Sequence, residues 1–248
     1  MSLILAIETA TPVCSVALSR DGKILSLRES SAPNVHSSVL TVFVEDVFRE
    51  TSLHFTDLDA VSVSMGPGSY TGLRIGVASA KGLCYALDKP MIAVHTLEAM
   101  AMGMISNPSH NPSPKREGSN SQLPTANCQL LFCPMIDARR MEVFCAVYDE
   151  NRMAIRPVEA VIIERDTFKD LLAEYAILFA GNGAEKCREV LSYLPNALFI
   201  KDFQASARFM IPLAEKRFHE NRFENLAYFE PFYLKDFVAG KSNVKGLK

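Results

Sequence analysis

The most constraining feature of this 248-residue sequence is an order of elements that occurs twice. In the first half, strand-like runs at Leu3–Glu8, Cys14–Ser19 and Lys23–Arg28 lead into a helix. A fourth strand at Ala60–Met65, a second helix and a fifth strand at Met91–Val94 follow. Asp21-Gly22 sets a two-residue hairpin turn between the second and third strands. In the second half, strands Gln129–Ile136 and Met141–Tyr148 flank a turn at Asp137–Arg140 and echo the first hairpin. Strand Val158–Ile163, a helix near Asp166–Tyr175, strand Ala176–Ala180 and a helix near Ala184–Leu194 come next, then a helix over Gln204–His219. No short period runs through the chain, so the pattern is a duplicated α/β unit and not a solenoid. The expected architecture is two α/β layers facing each other.

Between the halves the composition changes. Residues 106–127 are Ser, Asn, Pro, His, Lys, Arg, Glu and Gly with almost no apolar content. Such a run cannot bury enough surface to offset its ordering entropy, so a mobile polar loop is expected there. The division that follows is an N-terminal α/β subdomain over 1–105, the polar loop over 106–127, and a C-terminal α/β subdomain over 128–248 whose last helix packs back on the first.

The first helix is expected from an N-cap at Asn34 to Glu50. At 100° per residue its apolar side chains, from Val35 to Phe48, cover an arc of roughly 240°. A surface helix of a monomer needs an apolar stripe only a little over 100° wide. The excess needs a second cover, either inside the domain or from another chain. The second helix, Tyr70–Leu87, carries Gly72, Gly76 and Ala80 at steps of four. Glycine inside a helix costs about 1 kcal/mol against alanine, so close packing along this ridge is expected to compensate.

Glycine also opens that helix. Gly66-Pro67-Gly68-Ser69-Tyr70-Thr71-Gly72-Leu73-Arg74 takes the fourth strand straight into it. A glycine turn at a helix N-terminus gathers free N–H groups, so Gly66, Gly68, Ser69, Thr71 and Arg74 form a candidate anion-binding set. The alternative is a tight turn that fixes how the helix leaves the sheet. Spacing excludes a P-loop, and no G-x-S-x-G is present.

Composition narrows the function classes further. Residues 1–100 hold 7 basic and 10 acidic side chains, and residues 201–248 hold 9 and 6. Neither balance makes a surface that grips a polyanion unaided. The six cysteines include no C-x-x-C pair and no accompanying His cluster, so disulfides and zinc are not expected. The first apolar run is interrupted at Glu8 and lacks a basic leader, and no run of about 18 apolar residues exists; a cytoplasmic protein without a membrane span is expected.

Four segments together resemble the TsaB (YeaZ) family. They are Ile4–Thr11, Gly66–Gly76, Ile136–Arg140 and Pro231-Phe232-Tyr233-Leu234-Lys235. The Gly66–Gly76 stretch is the most specific of them, and the resemblance covers nearly the whole chain outside 106–127. It implies a duplicated actin/hexokinase/Hsp70-like (ribonuclease H-like) α/β fold in two subdomains. It also implies a non-catalytic scaffold that pairs with TsaD, a related metal-dependent transferase. TsaD moves threonylcarbamoyl to N6 of adenosine 37 in tRNAs reading codons that start with A. TsaE, an ATPase, joins the assembled complex, and tRNA is contacted only indirectly. In the family the two helices of the first subdomain pair with their equivalents in TsaD. Together with the apolar arc and glycine ridge, this marks Val35, Val39, Leu40, Phe43, Val47, Gly72, Ile75, Gly76, Ala80 and Leu83 as interface residues. Without TsaD the same face is expected to form homodimers.

Two enzymatic readings compete, a small-molecule kinase and a metallopeptidase of the same superfamily. In the transferase the metal is held by His-x-x-x-His on the helix after the fifth strand, and here those positions are Thr96 and Met100. His95 lies one residue out of register. In this fold the first hairpin loop cradles phosphate, but Ala10-Thr11-Pro12-Val13 has no glycine or lysine, and Pro12 removes an amide donor. No catalytic residue, metal or cofactor is therefore expected, and nucleotide binding is expected to be weak or absent.

Overall fold

The computed structural model describes residues 1–32, 36–106 and 128–235. Asn34, Val35 and all but the first residue of the loop expected at 106–127 lie outside them; Ser106 is the last residue of a helix. The first sheet is built from β1 (Leu3–Glu8), β2 (Cys14–Arg20), β3 (Lys23–Ser30), β4 (Ala60–Gly66) and β5 (Met91–His95) in the order β3-β2-β1-β4-β5. The second uses β6 (Leu130–Asp137), β7 (Glu142–Tyr148), β8 (Ala154–Ile162), β9 (Ala176–Ala180) and β10 (Ala197–Phe199) in the order β10-β9-β6-β7-β8. Read from its other edge, the second order repeats the first strand for strand. In each sheet the first three strands are antiparallel and the crossover strands run parallel to the first. This is the duplicated actin/hexokinase-like α/β fold.

The helices repeat as well. In the first unit they are α1 (His36–Thr51), α2 (Tyr70–Leu87) and α3 (Thr96–Ser106). In the second they are α4 (Lys169–Glu174), α5 (Ala184–Leu191) and α6 (Ala207–His219). The alternation of side chains along each strand sorts these helices into layers. Leu3, Leu5, Ile7, Val61 and Val63 point to one face of the first sheet and meet Leu40, Val44, Val47, Phe48, Val77, Ala80 and Cys84 of α1 and α2. Ile4, Ala6, Ile92 and Val94 point to the other face and meet α3 and α6. Across the middle layer, Leu97, Met100, Ala101 and Met104 of α3 pack on Phe132, Ile136, Phe144 and Leu178 of the second sheet. The far face of that sheet is closed by α4 and α5 through Leu172, Cys187 and Leu191.

α3 is apolar around nearly its whole circumference because a sheet lies on each side of it. The last helix, α6, crosses back to lie against β1, β2 and β5 of the first sheet. Glu215 anchors it there, taking hydrogen bonds from Ser2 Oγ at 2.7 Å and from the Gly22 amide at 2.8 Å. A buried carboxylate that accepts several donors is far stronger glue than an exposed one. Beyond α6 the chain runs back over the first unit, and its 224–235 segment crosses from there to the second sheet. Among the described residues, no helix is long and apolar enough to cross a membrane.

Candidate protein-interaction face and strand-end cluster

Helices α1 and α2 lie side by side on the outer face of the first sheet. The sheet covers only part of their apolar surface. Leu40 and Val47 are buried to 1% and 0% exposure in the first core, and Gly72, Gly76 and Ala80 are buried too. These five sequence-expected interface residues thus lie in the core of this chain. Val39, Phe43, Ile75 and Leu83 touch that core but remain half-buried, and Val42 and Tyr85 stand 48% and 84% exposed. An apolar strip does remain on the outside, displaced from the residues that the glycine periodicity marked.

The reason lies in Thr9. A Cβ on Gly72 would come within 2.1 Å of the Thr9 carbonyl oxygen, and one on Gly76 within 2.2 Å of its Oγ1. The ridge is a groove for the end of β1. A second small-residue ridge, Ala78, Gly82 and Ala86, lies about 120° round the same helix. All three are exposed, and nothing in the chain lies within 4 Å of where a Gly82 Cβ would stand. The sequence carries this ridge in plain sight. Its one glycine is a weaker signal than the two that face inward.

The Gly66–Ser69 turn is locked from both sides. Ser69 N–H donates to the Ala10 carbonyl at 2.7 Å, and Ser69 Oγ caps α2 by accepting from Gly72 N–H. Gly68 sits so tightly on Ala10 that a Cβ would fall 2.2 Å from its carbonyl oxygen. Gly66 has φ +110° and faces the Phe232 carbonyl, so glycine is required there on both counts. Thr71 and Arg74 are exposed, and the Arg74 guanidinium lies over the Tyr70 ring, 5.6 Å from its centroid. The geometry of the turn is accounted for by how it launches α2. The hairpin loop is similarly self-satisfied. Ala10 N–H donates to Glu8 Oε1, Val13 N–H to Thr11 Oγ1, and Pro12 has no N–H to give. In the second unit, Gly181 and Gly183 close against the backbone of Met135 and Ile136. Thr96 and Met100, one turn apart on α3, are both buried, and a Cβ on Gly181 would meet Met100 Cε at 2.6 Å.

Glu8 is the chemically unusual group. It is fully buried at the end of β1, and among the described residues Oε2 has no hydrogen-bond partner while Oε1 accepts from Ala10. Burial pushes its carboxyl up to about 7, against the hydrogen bonds that favour the charged form. Among the described residues, Thr9 Oγ1, Ser62 Oγ, His95 Nδ1 and Thr96 Oγ1 are also buried without a hydrogen-bond partner; Thr9 follows β1, Ser62 lies on β4, His95 ends β5 and Thr96 begins α3. The folded state holds the Glu8 proton more tightly than the unfolded chain, whose carboxyl titrates near 4.5. Its contribution to stability is therefore complete below pH 4.5 and is lost as pH rises to about 7. Glu8→Gln removes the titration. It is expected to raise unfolding stability by about 2 kcal/mol at pH 8 and to change it little at pH 4. Urea titrations at the two pH values check this; an equal effect at both excludes the linkage.

With this geometry in hand, the likenesses to known proteins can be placed. The model of the family "TsaD: tRNA N6-adenosine threonylcarbamoyltransferase" matches residues 30–241. The tRNA threonylcarbamoyladenosine biosynthesis protein TsaB of Escherichia coli K12 is 31% identical over 247 residues, covering 96% of each chain. A tRNA N6-adenosine threonylcarbamoyltransferase of Staphylococcus haemolyticus is 36% identical over 110 residues, 38% of this chain and 32% of that protein. Among solved structures, YeaZ from Pseudomonas aeruginosa superposes with a TM-score of 0.76 at 24% identity, over 94% of this chain and all of that one. A full-length relative, a matching family model and a shared duplicated fold agree: the chain belongs to the TsaB (YeaZ) family of tRNA threonylcarbamoyladenosine biosynthesis proteins.

Proposed function

We propose that this chain is the non-catalytic scaffold of the cytoplasmic threonylcarbamoyltransferase complex, and that α1 and α2 bind and activate a TsaD subunit. The reaction it supports is transfer of threonylcarbamoyl to N6 of adenosine 37 in tRNAs reading codons that start with A. The observation that carries the reading is the outer face of α1 and α2: half-buried Val39, Phe43, Ile75 and Leu83, exposed Val42 and Tyr85, and an outward ridge of Ala78, Gly82 and Ala86. Small residues let a helix backbone approach closely while larger apolar neighbours grip its flanks. A second pair of helices from a protein of the same fold is the complementary shape. In the absence of TsaD, the same face joins two copies of this chain. TsaE docks on the assembled pair, and tRNA is held mainly through TsaD.

The scaffold role is supported by the chemistry at the strand ends. Thr96 and Met100 replace imidazoles with a hydroxyl and a thioether, a poor donor set for the hard and borderline metals that activate phosphate or carbonyl oxygens. The Ala10 and Val13 amides of the hairpin loop are hydrogen-bonded within the chain, and Pro12 has none to give. No cofactor is assigned. Calorimetry with MgATP separates this from a kinase reading, which requires micromolar binding and turnover.

Val42→Glu tests the face. Val42 is exposed enough that the monomer keeps its stability, yet a carboxylate at the centre of an apolar contact is costly to desolvate. Affinity for TsaD is expected to fall at least ten-fold, measured by titration of the purified proteins. Unchanged affinity removes this face from the interface.

A further inference from the structure

The Pro231–Lys235 motif lies between the start of α2 and the second unit. The segment leading to it is stitched onto the first unit: Glu224 N–H donates to the Met91 carbonyl at 2.9 Å, and Leu226 and Phe229 enter the core beneath α1 and α2. At the strand-to-helix turn, Phe232 N–H donates to the Met65 carbonyl at 2.7 Å. Its ring meets His95 edge-on, with centroids 5.6 Å apart. Its carbonyl oxygen presses on Gly66, 2.6 Å from where a Cβ would stand. Tyr233 then packs on Tyr70, the first residue of α2, with ring centroids 4.8 Å apart. The next two residues leave for the other domain. Leu234 packs against the core of the second sheet, and Lys235 forms an ion pair with Glu142 on β7.

We infer that this strap is a positioning device for partner binding, which holds the start of α2 in register with the second domain. The inference rests on the reading of α1 and α2 as the TsaD-binding face and adds to it how that face is set. The physics is that of a short tie. The Gly66 turn owes its shape to backbone contacts with Ala10 on one side and Phe232 on the other. Without the second contact the first turn of α2 is held by the Ser69 cap, the Ala10 bond and the seating of Gly72 on Thr9, and loses its tie to the closing segment. A partner must then order that turn itself, and binding weakens by the population of the competent state. Phe232 bears on Gly66 and Tyr233 on Tyr70, so both act on the start of α2.

Amide hydrogen exchange and TsaD titration on the full chain test this together. Tyr233→Ala is expected to speed exchange of amides in the Tyr70–Ile75 turn by about ten-fold, leave exchange in β1 and β6 unchanged, and weaken TsaD binding by a similar factor. Tyr233→Phe keeps the ring and is expected to restore both. Lys235→Ala releases only the far anchor, which is exposed enough to be cut without harming the fold, and is expected to weaken binding about three-fold. Wild-type exchange in the α2 turn of Tyr233→Ala overturns the positioning role. Wild-type affinity in Lys235→Ala overturns the link to the second domain. Val42→Glu separates the two readings: if it abolishes binding while Tyr233→Ala does not, the strap inference alone fails; if Val42→Glu binds normally, the face itself is wrong.

Discussion

Gly72→Ala is expected to destabilise the chain by about 3–4 kcal/mol, reversing the sign that helix propensity predicts for the same change. In an exposed helix interior, alanine for glycine gains about 1 kcal/mol. Here the new methyl would stand 2.1 Å from the Thr9 carbonyl oxygen and 3.3 Å from its carbon. The obstacle is backbone, so no rotamer change relieves it. Either β1 must shift, which disturbs its ladders with β2 and β4, or α2 must lift and lose the burial of Leu73 and Val77. Overpacking alone costs about 1–3 kcal/mol, and moving a central strand adds to it. A loss of 3–4 kcal/mol corresponds to a fall of roughly 10 °C in melting temperature for a chain of this size. Gly82→Ala is the internal control. Its Cβ meets nothing in the chain, so it is expected to gain up to about 1 kcal/mol. Urea unfolding of both variants decides the matter: destabilisation of equal size in the two would show that α2 is not oriented as described.

That pair of glycines also shows what the sequence could and could not say. The duplication was legible because buried strands such as Leu3–Glu8 and Ala176–Ala180 read as apolar runs between turn signals. Both ends of α2 were legible because glycine, serine and a cap mark them. The helix face was not. Periodicity says which residues share a ridge but gives no zero of angle, and α2 has two small-residue ridges. The one richer in glycine turned inward because the β1 loop needs room, and that depends on contacts with Thr9, far away in sequence. Leu40 and Val47 follow the same rule: a wide apolar arc does not say which part the sheet claims, and here the sheet claims these two.

Smaller discrepancies follow the same logic. β8 begins at Ala154 and not at Val158, because Pro157 reads as a strand breaker yet is tolerated on an edge strand whose outer side has no ladder. β10 is only three residues long, Ala197–Phe199, and is a strand because β9 offers it a parallel partner. The candidate anion-binding turn at Gly66–Arg74 reads in sequence like an open amide nest. The fold fills it with Ala10 and Phe232, partners that lie on either side of α2 in the chain. Phe232 was noticed only as part of a resemblance. No periodicity or spacing could have placed it on Met65, since the bond joins the closing segment of the chain to a strand from its first third.

Gly82→Leu is expected to weaken binding of TsaD at least 100-fold while leaving the monomer at least as stable as the wild type. Two facts on α2 combine to give this result. The position is empty on the inside, so a larger side chain clashes with nothing of its own. On the outside it is the centre of the exposed Ala78–Ala86 ridge, where the proposed interface brings a partner helix closest to the backbone. A leucine there holds the two axes apart by a side-chain radius. The flanking contacts of Ile75, Leu83 and Tyr85 then lose touch together, because dispersion falls steeply over an added gap of 1 Å or less. Each of those contacts is modest, and their joint loss makes the penalty large. The measurement is TsaD titration, with circular dichroism and urea unfolding of the variant alone to confirm its fold. Helix propensity predicts that leucine stabilises the free monomer by several tenths of a kcal/mol. A variant that is both more stable and unable to bind would mean that glycine is retained at 82 against local preference because of what lies outside the chain. A variant that binds as before would show that no helix backbone approaches there, and the partner would have to meet α1 and α2 along another line.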